Sequence, residues 1–366
     1  MSQLRSTLEF LVYDWLHAES LTARTRYADH SRETFDAVWD TCERIAREKY
    51  APFNRTVDTQ EPSFDGEKVI QPACTGEARK AYADSGMLSA AQPYEQGGMQ
   101  LPYVVEAAAN SFFACASISI GSNLLTVGNA NLLRVHGTPM QQQVFADNAF
   151  NGRWAGTMCL SEPQAGSSLA DISTKATKAA DGTYRVTGTK MWITGGDHEL
   201  SENIVHLVLA KVPGGGPGVK GISLFIVPKF LTDGTRNDVA LVSLNHKMGN
   251  HGTTNALLNF GDGSHQPADE AGAVGYLVGE EHRGLAYMFH MMNEARVAVG
   301  SMATAIGYAG YLTSLEYAKV RTQGRPVGDK DPSRSQVAII EHADVKRMLL
   351  AQKSYVEGAL ALGLYS

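Results

Sequence analysis

The spacing of apolar residues changes twice along this 366-residue chain. Up to about residue 153 they recur every three or four positions, which is typical of amphipathic helices. Near Trp154, short segments rich in Val, Ile, Thr and Leu begin, separated by turn signals such as Asp181-Gly182, and this pattern predicts a barrel or sandwich. From Gly284 the helical spacing returns. Because strands do not alternate with helices, and no glycine fingerprint follows a strand, this order argues against a Rossmann domain.

The segment before residue 153 predicts several helices. The stretches "LRSTLEFLVYDWL" and "RETFDAVWDTCERI" each place large apolar residues on one helix face. Residues 104–137, rich in small side chains, predict one long helix suited to close packing. Thr138 and Pro139 then mark a short helix, as its N-cap and its first helical residue. After the strands, residues 261–275 predict a polar linker.

Two helices are predicted after that linker. The first runs from Gly284 to about Arg321, roughly 55 Å at 1.5 Å per residue. Glycine lowers helix propensity, so the glycines of this helix are expected to mark close helix contacts; they are Gly300, Gly307 and Gly310. A basic, proline-containing loop over 321–335 precedes a second helix that begins at Gln336. That helix is apolar and reaches Ser366 without a capping signal, so we expect the chain to be the front part of a longer protein.

Composition narrows the class of protein further. Apolar residues make up 43% of the chain and charged residues 19%, so a large core is expected and extensive disorder is not. The net charge of −6 disfavours nucleic acid as the main partner, because phosphate binding needs clustered Lys and Arg. The four cysteines lack metal-ligand and redox spacing, no secretory signal opens the chain, and no apolar run approaches the ~20 residues of a membrane span. We therefore expect a reduced, cytoplasmic protein.

Two motifs carry candidate chemistry. "MCLSEPQAGSS", residues 158–168, follows an apolar run and offers backbone groups and the Ser161 and Ser167 hydroxyls at one polar edge. "KMWITGG", residues 190–196, adds the aromatic face of Trp192 and, two residues further along, the Thr194 hydroxyl. An aromatic face beside hydrogen-bonding groups suits a planar heteroaromatic cofactor such as a flavin. The alternative is a tryptophan packed in the barrel core beside an ordinary turn.

These motifs, followed in order by "MGNHGTTNALLNF" and "GEEHRGLAYMFHMMNEARV", resemble the acyl-CoA dehydrogenase family. The similarity runs from about Ile45 to the end and includes the loop "PYEQGGMQLP". The first 30 residues resemble a large bacterial subgroup that includes methylthiopropionyl-CoA dehydrogenases. The resemblance implies an α+β multidomain fold: an N-terminal helical domain over 1–153, a middle β-barrel over 154–270, and the first part of a C-terminal helical bundle over 271–366.

By this resemblance, FAD lies between the barrel and the bundle. Trp192 is expected to cover the flavin ring, and Thr194 is expected to bond near its reactive nitrogen. The implied cofactor-binding residues are Met158, Leu160, Ser161, Gly166, Ser167, Trp192, Ile193, Thr194, Arg321 and His342. The implied contacts to the acyl-CoA substrate are Ser167, Asn293 and Arg296. The sequence departs from the family pattern with Ser168 and Asn293 in place of a common Asp, and with Ala343 in place of a Gln.

The implied reaction is α,β-dehydrogenation of an acyl-CoA thioester. A carboxylate takes the α-proton while hydride leaves the β-carbon for the flavin, which requires a poised carboxylate in a dry pocket and a hydrogen-bonded thioester oxygen. The Tyr-Glu-Gly-Thr-like motif that usually carries the base does not occur here, and we expect the base beyond Ser366. In some members the base directly precedes the helix arginine, where this chain has Ala295. Glu294, about 100° round the helix, is the remaining candidate.

The resemblance also implies that electrons pass to an electron-transfer flavoprotein and that the chain assembles as a homodimer or homotetramer. Two alternatives share the fold. One is an acyl-CoA oxidase or flavin monooxygenase, which reacts with oxygen, and the other is a flavin-containing DNA-binding relative, for which this sequence shows no basic stripe. His246 with His251, and Glu280 with Glu281, have ligand-like spacing, but both pairs fall in predicted loops, and no metal is predicted. The sequence does not specify the acyl chain.

Overall fold

The computed structural model describes residues 2–121, 123–267, 271–328 and 331–366. In this part of the chain the helices are α1 Ser2–Glu9, α2 Arg32–Ile45, α3 Asn54–Thr59, α4 Ala73–Asp84, α5 Tyr103–Ala116, α6 Leu124–His136, α7 Pro139–Gln141, α8 Asp147–Phe150, α9 Gly284–Val320 and α10 Ala343–Tyr365. The strands are β1 Ser63–Phe64, β2 Val69–Ile70, β3 Trp154–Cys159, β4 Lys175–Lys178, β5 Tyr184–Thr194, β6 Asn203–Lys211, β7 Ile222–Pro228, β8 Val239–Leu244, β9 Asn255–Phe260 and β10 Ala273–Leu277. Apart from the short β1–β2 hairpin, the predicted order of helices, strands and helices is confirmed.

The chain divides into two compact units, which are described separately. The first comprises Met1–Arg47, Pro102–Ile118 and Val297–Ser366. The second comprises Glu48–Leu101 and Ser119–Arg296. These units are defined by contacts and are discontinuous in sequence, so the expected domain boundaries after residues 153 and 270 stay a prediction.

The predicted apolar faces form the core of the first unit. On α2, the Ser31 side chain caps the helix by accepting from the Thr34 amide, and Phe35 and Trp39 are fully buried. The helix packs against α5, where the Trp39 indole N–H donates to the Val105 carbonyl at 3.0 Å. Burying large side chains of this kind contributes roughly 1.5–3 kcal/mol each. The face recognised by its helical period therefore holds α2 on α5.

The second unit is built around an eight-stranded sheet within the described residues. Its strand order is β10-β7-β6-β4-β5-β9-β8, β3 pairs with β6, and β10 also pairs with β5. The path from β5 through β4, β6 and β7 to β10 thus returns to β5 and closes into a ring, which is the predicted barrel. Nearly every residue of β6 and β7 is buried. Both faces of these strands are covered, as continuous apolar runs indicate.

The single helix predicted over 104–137 is wrong, because the structure has two helices, α5 and α6, with an irregular segment between them. α5 ends where Ser117 adopts an extended backbone, with φ −166° and ψ 109°. Gly121 then takes a left-handed backbone, φ 91°, and a Cβ there would lie 2.7 Å from Thr253 Oγ1. A left-handed residue interrupts a helix, and its contact with a distant segment leaves no trace in the helical period. Residue 122 lies outside the described chain.

The polar linker predicted over 261–275 is wrong at its C-terminal end, because β10 begins at Ala273. Ala273 lies opposite Val186 of β5, and β10 pairs with β7 on its other side. The fully buried Asp238 carboxylate accepts from the backbone amides of Gly263, His265 and Gly272, the last of which directly precedes β10. Residues 268–270 of the predicted linker are outside the described chain.

The long helix predicted from Gly284 is confirmed as α9. At Gly307 a Cβ would lie 3.3 Å from Val356 Cγ1, which is the close helix contact expected there. The same expectation is wrong for Gly300 and Gly310, where nothing in the described chain lies within 4 Å of such a Cβ. Neither α9 nor any other described helix is long and apolar enough to cross a membrane.

The second C-terminal helix begins at Ala343 and not at the predicted Gln336. The residues before it pair with the segment that follows α9, and the Ile339 amide donates to the Arg321 carbonyl at 2.8 Å. Backbone groups that bond to a distant segment of the same chain cannot also form the hydrogen bonds of a helix. Residues 329–330 of the predicted loop lie outside the described chain.

Candidate functional site

The first motif begins on β3 and leaves it through a tight turn. β3 runs parallel to β6, with Met158 opposite Leu207. Met158 is half-buried, Leu160 is buried and Ser161 is half-buried. The turn closes where the Glu162 amide donates to the Ala165 carbonyl at 2.7 Å and the Ala165 amide donates back at 3.0 Å. β3 therefore ends two residues before the half-buried Ser161, and the role of its hydroxyl at a polar edge stays a prediction.

The second motif forms a β-bulge on β5. Lys190 pairs with Leu258 and Ile193 pairs with Ala256, so β5 carries one extra residue at this point. Trp192 lies in the bulge with a left-handed backbone, φ 64°, and its side chain is 55% exposed. The alternative of a tryptophan packed in the barrel core is therefore wrong.

Beyond the bulge, the strand alternates as predicted. Ile193 is buried, at 1% exposure, and Thr194 is exposed. Thr194 lies opposite Asn255 of β9. The bulge and this alternation together place the Trp192 ring and the Thr194 hydroxyl at the surface, while the residue between them anchors the strand in the core.

Three hydrogen bonds join the two motifs. The Met191 amide donates to the Ser161 carbonyl at 3.0 Å. The Lys190 ammonium donates to the Leu160 carbonyl at 2.9 Å and to Glu162 Oε1 at 3.0 Å. The sequence analysis missed the last two bonds, although Lys190 and Glu162 both stand inside the quoted motifs. The available signal was a lysine within a strand, two positions before an outward-facing tryptophan.

The Lys190–Glu162 pair is fully buried, with side-chain exposures of 0% and 1%. Glu162 Oε2 accepts from the Ser173 amide, at 2.6 Å, and from the Gln164 side-chain amide, and Oε1 accepts from the Thr174 amide. Burial opposes ionisation of this carboxyl, but the Lys190 ammonium and these hydrogen bonds outweigh it and lower the pKa of Glu162 to about 2. Burial lowers the pKa of Lys190, which Glu162 partly restores.

The ionised Glu162 predicts a loss of stability in acid. Its pKa moves from 4.5 to about 2 on folding, so the unfolded chain binds more protons in this range, and the free energy of unfolding falls as the pH drops from about 5 towards 2. The shift corresponds to about 3 kcal/mol. Urea unfolding at a series of pH values should show that the free energy of unfolding falls towards low pH in the wild type and falls less in Glu162→Gln. An equal dependence on pH in the two proteins would contradict the lowered pKa of Glu162.

Gly166 and Ser167 follow in the same loop and are exposed, as is Ser168. The Ser168 hydroxyl donates to Asp171 Oδ2 at 2.5 Å, so the serine that replaces the family's aspartate is tied to the side chain of the last residue of the short helical turn Leu169–Asp171. A Cβ at Gly166 would meet nothing within 4 Å in the described chain. The loop thus leaves these backbone groups accessible, and their role in binding stays a prediction.

On α9, the implied substrate contacts lie one turn apart and are exposed. Arg296 Nη1 donates to Asn293 Oδ1 at 3.1 Å. The Arg296 guanidinium also lies 5.2 Å from the centroid of the Phe289 ring. The structure therefore brings Asn293 and Arg296 together, and presents an orientable positive charge at the surface of the second unit.

Glu294 is directed towards α6. Asn131 Nδ2 donates to both oxygens of its carboxylate, at 3.0 and 3.1 Å, and Asn131 Oδ1 accepts from Gln92 at 2.9 Å. Burial raises the pKa of Glu294, although the Asn131 hydrogen bond and His290 oppose this rise. Neither Asn131 nor Gln92 was indicated by the sequence, because a polar residue inside the largely apolar α6 and a glutamine in a loop give no sign of their partners.

Arg321 and His342 belong to the first unit. Arg321 is exposed at the end of α9, and its carbonyl accepts from the Ile339 amide. His342 Nε2–H donates to the Gln323 carbonyl at 2.7 Å. The paired segments around 321–324 and 337–342 hold these two side chains on one small substructure, and their contact with a cofactor stays a prediction.

His246 and His251 lie near a third residue that the sequence did not indicate. Ligand atoms of Glu61, His246 and His251 lie within 4.8 Å of one another. His246 Nδ1 is 2.9 Å from Glu61, while His251 has Asp58 at 3.3 Å from Nδ1 and the Lys247 carbonyl at 2.8 Å from Nε2. Hydrogen bonds alone account for this arrangement, and the absence of a metal stays a prediction.

Family models match most of the described fold. The acyl-CoA dehydrogenase N-terminal domain matches residues 32–153, and the acyl-CoA dehydrogenase middle domain matches residues 157–262. A helical segment, a barrel with an exposed aromatic edge, and a second helical segment define a protein with the acyl-CoA dehydrogenase-like fold. The chain belongs to the acyl-CoA dehydrogenase family.

Individual relatives agree with this assignment. The chain is 40% identical over 356 residues to 3-methylmercaptopropionyl-CoA dehydrogenase of Ruegeria pomeroyi, a match that covers 96% of this chain and 58% of the relative. It is 34% identical over 371 residues to a butyryl-CoA dehydrogenase of Syntrophomonas wolfei, covering 97% and 59%. Among solved structures, butyryl-CoA dehydrogenase from Megasphaera elsdenii has the same fold, with a TM-score of 0.72 at 22% identity over 91% of this chain and 78% of that one. The chain spans about three fifths of the length of the curated relatives that it matches.

Proposed function

We propose that this chain supplies the flavin-binding edge and part of the acyl-CoA site of an FAD-dependent enzyme that dehydrogenates acyl-CoA thioesters between the α- and β-carbons. Membership of the family supports this reaction class, and both named relatives are acyl-CoA dehydrogenases. We further propose an electron-transfer flavoprotein as the electron acceptor and a closed homo-oligomer as the assembly, in line with the resemblance of the sequence.

The observation that carries this proposal is the exposed Trp192 on the β5 bulge, joined by a backbone bond to the Ser161 turn. A bulky residue rarely adopts a left-handed backbone, and such strain is concentrated at functional sites. A large exposed aromatic face, on a strand that also exposes Thr194 two residues further along, fits a planar ring with polar groups at its rim. The residues present therefore suit the isoalloxazine of FAD.

In this proposal Trp192 packs on the flavin ring, and Ser161 and Thr194 hydrogen-bond to its polar rim. When bound, the flavin accepts the hydride that leaves the substrate β-carbon. Arg296, oriented by Asn293, offers a positive charge suited to the anionic CoA portion of the substrate. Glu294 is held by Asn131 of α6, and in this proposal it serves to position α9.

A direct test is titration of the purified chain with FAD, followed by quenching of flavin fluorescence. We expect the wild type to bind FAD and Trp192→Ala to bind at least about tenfold more weakly, because loss of aromatic stacking costs about 1–3 kcal/mol. Trp192→Phe should stay within a few-fold of the wild type, since it keeps an aromatic face. Trp15→Ala removes another exposed tryptophan, in the first unit, and should have no effect.

Two outcomes of this experiment would contradict the proposal. A wild-type chain that binds neither FAD nor FMN would remove the flavin site altogether. Equal affinity in the wild type and Trp192→Ala would place the flavin elsewhere. If the flavin binds and is reduced by an acyl-CoA, rapid reoxidation in air would indicate an oxidase in place of a dehydrogenase.

A further inference from the structure

We infer that the buried Lys190–Glu162 pair is a positioning device for the proposed flavin: it fixes the Ser161 turn against the Trp192 bulge and thereby sets how tightly, and in what electronic environment, the ring is held. The inference rests on the proposed function. Neither residue reaches the surface, since their side chains are 0% and 1% exposed. They therefore act through the residues they hold and do not themselves touch a ligand.

Lys190 fixes the orientation of the Leu160–Ser161 peptide. The Lys190 ammonium binds the Leu160 carbonyl at 2.9 Å. In a trans peptide the C=O and the following N–H point in opposite directions. Holding the Leu160 carbonyl towards the buried lysine consequently turns the Ser161 N–H away from it. A single buried cation thus determines which way the donor of the Ser161 turn faces.

Lys190 also stands at the start of the β5 bulge. Lys190 is the last residue of β5 in regular register before the extra residue, and the next amide, that of Met191, donates to the Ser161 carbonyl. The side chain of Lys190 and the backbone of Met191 therefore fasten the same turn at two adjacent points. Trp192 follows immediately, so any displacement of Lys190 is transmitted to the base of the indole.

Glu162 ties the same turn to a third segment of the chain. Its carboxylate accepts from the backbone amides of Ser173 and Thr174, at 2.6 and 3.0 Å, as well as from Lys190. The pair thereby ties the turn, the bulge and the segment before β4 into one network. Buried ion pairs commonly add little net stability compared with apolar residues of similar volume. A geometric role at the ligand edge gives this pair a function that apolar packing would not supply.

The test compares Glu162→Gln with Glu202→Gln in the FAD titration. Glu202 also forms an ion pair, in its case with Arg153, but both side chains are more than half exposed. Glu202→Gln therefore removes an ion pair without disturbing the Ser161 turn. With folding verified by far-UV circular dichroism, we expect Glu162→Gln to bind FAD about tenfold more weakly and to shift the visible absorption bands of the bound flavin at saturation. Glu202→Gln should match the wild type in both. A purely structural role would lower the melting temperature without moving the spectrum.

Each outcome decides the inference. Wild-type affinity and spectrum in a folded Glu162→Gln would overturn it and leave the flavin site intact. A wild type that binds no flavin would overturn the proposed function and this inference together. If Glu162→Gln does not fold, the double variant K190M/E162Q, which leaves no unpaired charge, takes its place with the same expected loss and the same opposing result.

Discussion

Replacing Lys190 with methionine should lower the free energy of unfolding by about 3–5 kcal/mol, because it leaves the Glu162 carboxylate buried without its counter-ion. Methionine has a similar length, so the loss of packing is small, and the Leu160 carbonyl also loses its donor. Urea unfolding at neutral pH, followed by far-UV circular dichroism, measures the change.

The matched control for this prediction is Lys80→Met. Lys80 pairs with Asp84 at 2.8 Å, but its side chain is 75% exposed. Exposed pairs contribute about 0–1 kcal/mol, so this variant should stay close to the wild type. If Lys80→Met and Lys190→Met lost similar amounts of unfolding free energy, burial of the Lys190–Glu162 pair would have no special cost. That result would contradict an ionised Glu162 held by Lys190.

Gly284→Ala should destabilise the second unit by at least about 3 kcal/mol, since overpacking against rigid atoms forces the backbone to move. A Cβ at this first residue of α9 would lie 2.2 Å from the Ser223 carbonyl carbon and 2.4 Å from the Leu224 nitrogen. Both are backbone atoms of β7, which cannot rotate away as a side chain can. Thermal unfolding of the purified variant measures the loss.

The control is Gly300→Ala, on the same helix. Nothing in the described chain lies within 4 Å of a Cβ at Gly300. Alanine there should raise the free energy of unfolding by about 0.5–1 kcal/mol, because it restricts the unfolded chain and favours the helix. A destabilised Gly300→Ala together with a tolerated Gly284→Ala would mean that the start of α9 is not seated on β7 as described.

Much of the fold was predictable because hydrophobic period is a local property. About ten residues of sequence are enough to predict the buried face of α2, which contains Phe35 and Trp39, and the apolar strands β6 and β7. β4 and β10 could not be predicted in this way. Lys175–Lys178 is short and polar, and Ala273–Leu277 follows a polar segment. Their strand character comes from partners far along the chain, which no window of sequence contains.

The site shows the same division. Ser161, Trp192 and Thr194 could be named as candidates from two motifs, and the structure brings those motifs into contact. The Lys190–Glu162 pair could not, because a lysine in sequence suggests an exposed side chain and its counter-ion lies 28 positions away. Likewise, nothing in the sequence near Glu294 indicates Asn131 on α6. The motifs could be recognised from neighbouring residues, whereas the buried polar network beneath them depends on the tertiary fold.

The place of β10 has a consequence for how this protein can be dissected. β10 comes last in sequence among the strands of the described chain, yet it lies between β5 and β7. An excised piece that stops at residue 262, where the middle-domain match ends, would leave β7 and the Tyr184–Val186 stretch of β5 with free hydrogen-bonding groups. Open edges of this kind recruit strands from other molecules. A fragment limited to the middle-domain match, residues 157–262, is therefore expected to aggregate when expressed alone. A barrel that folds on its own must extend at least to Leu277.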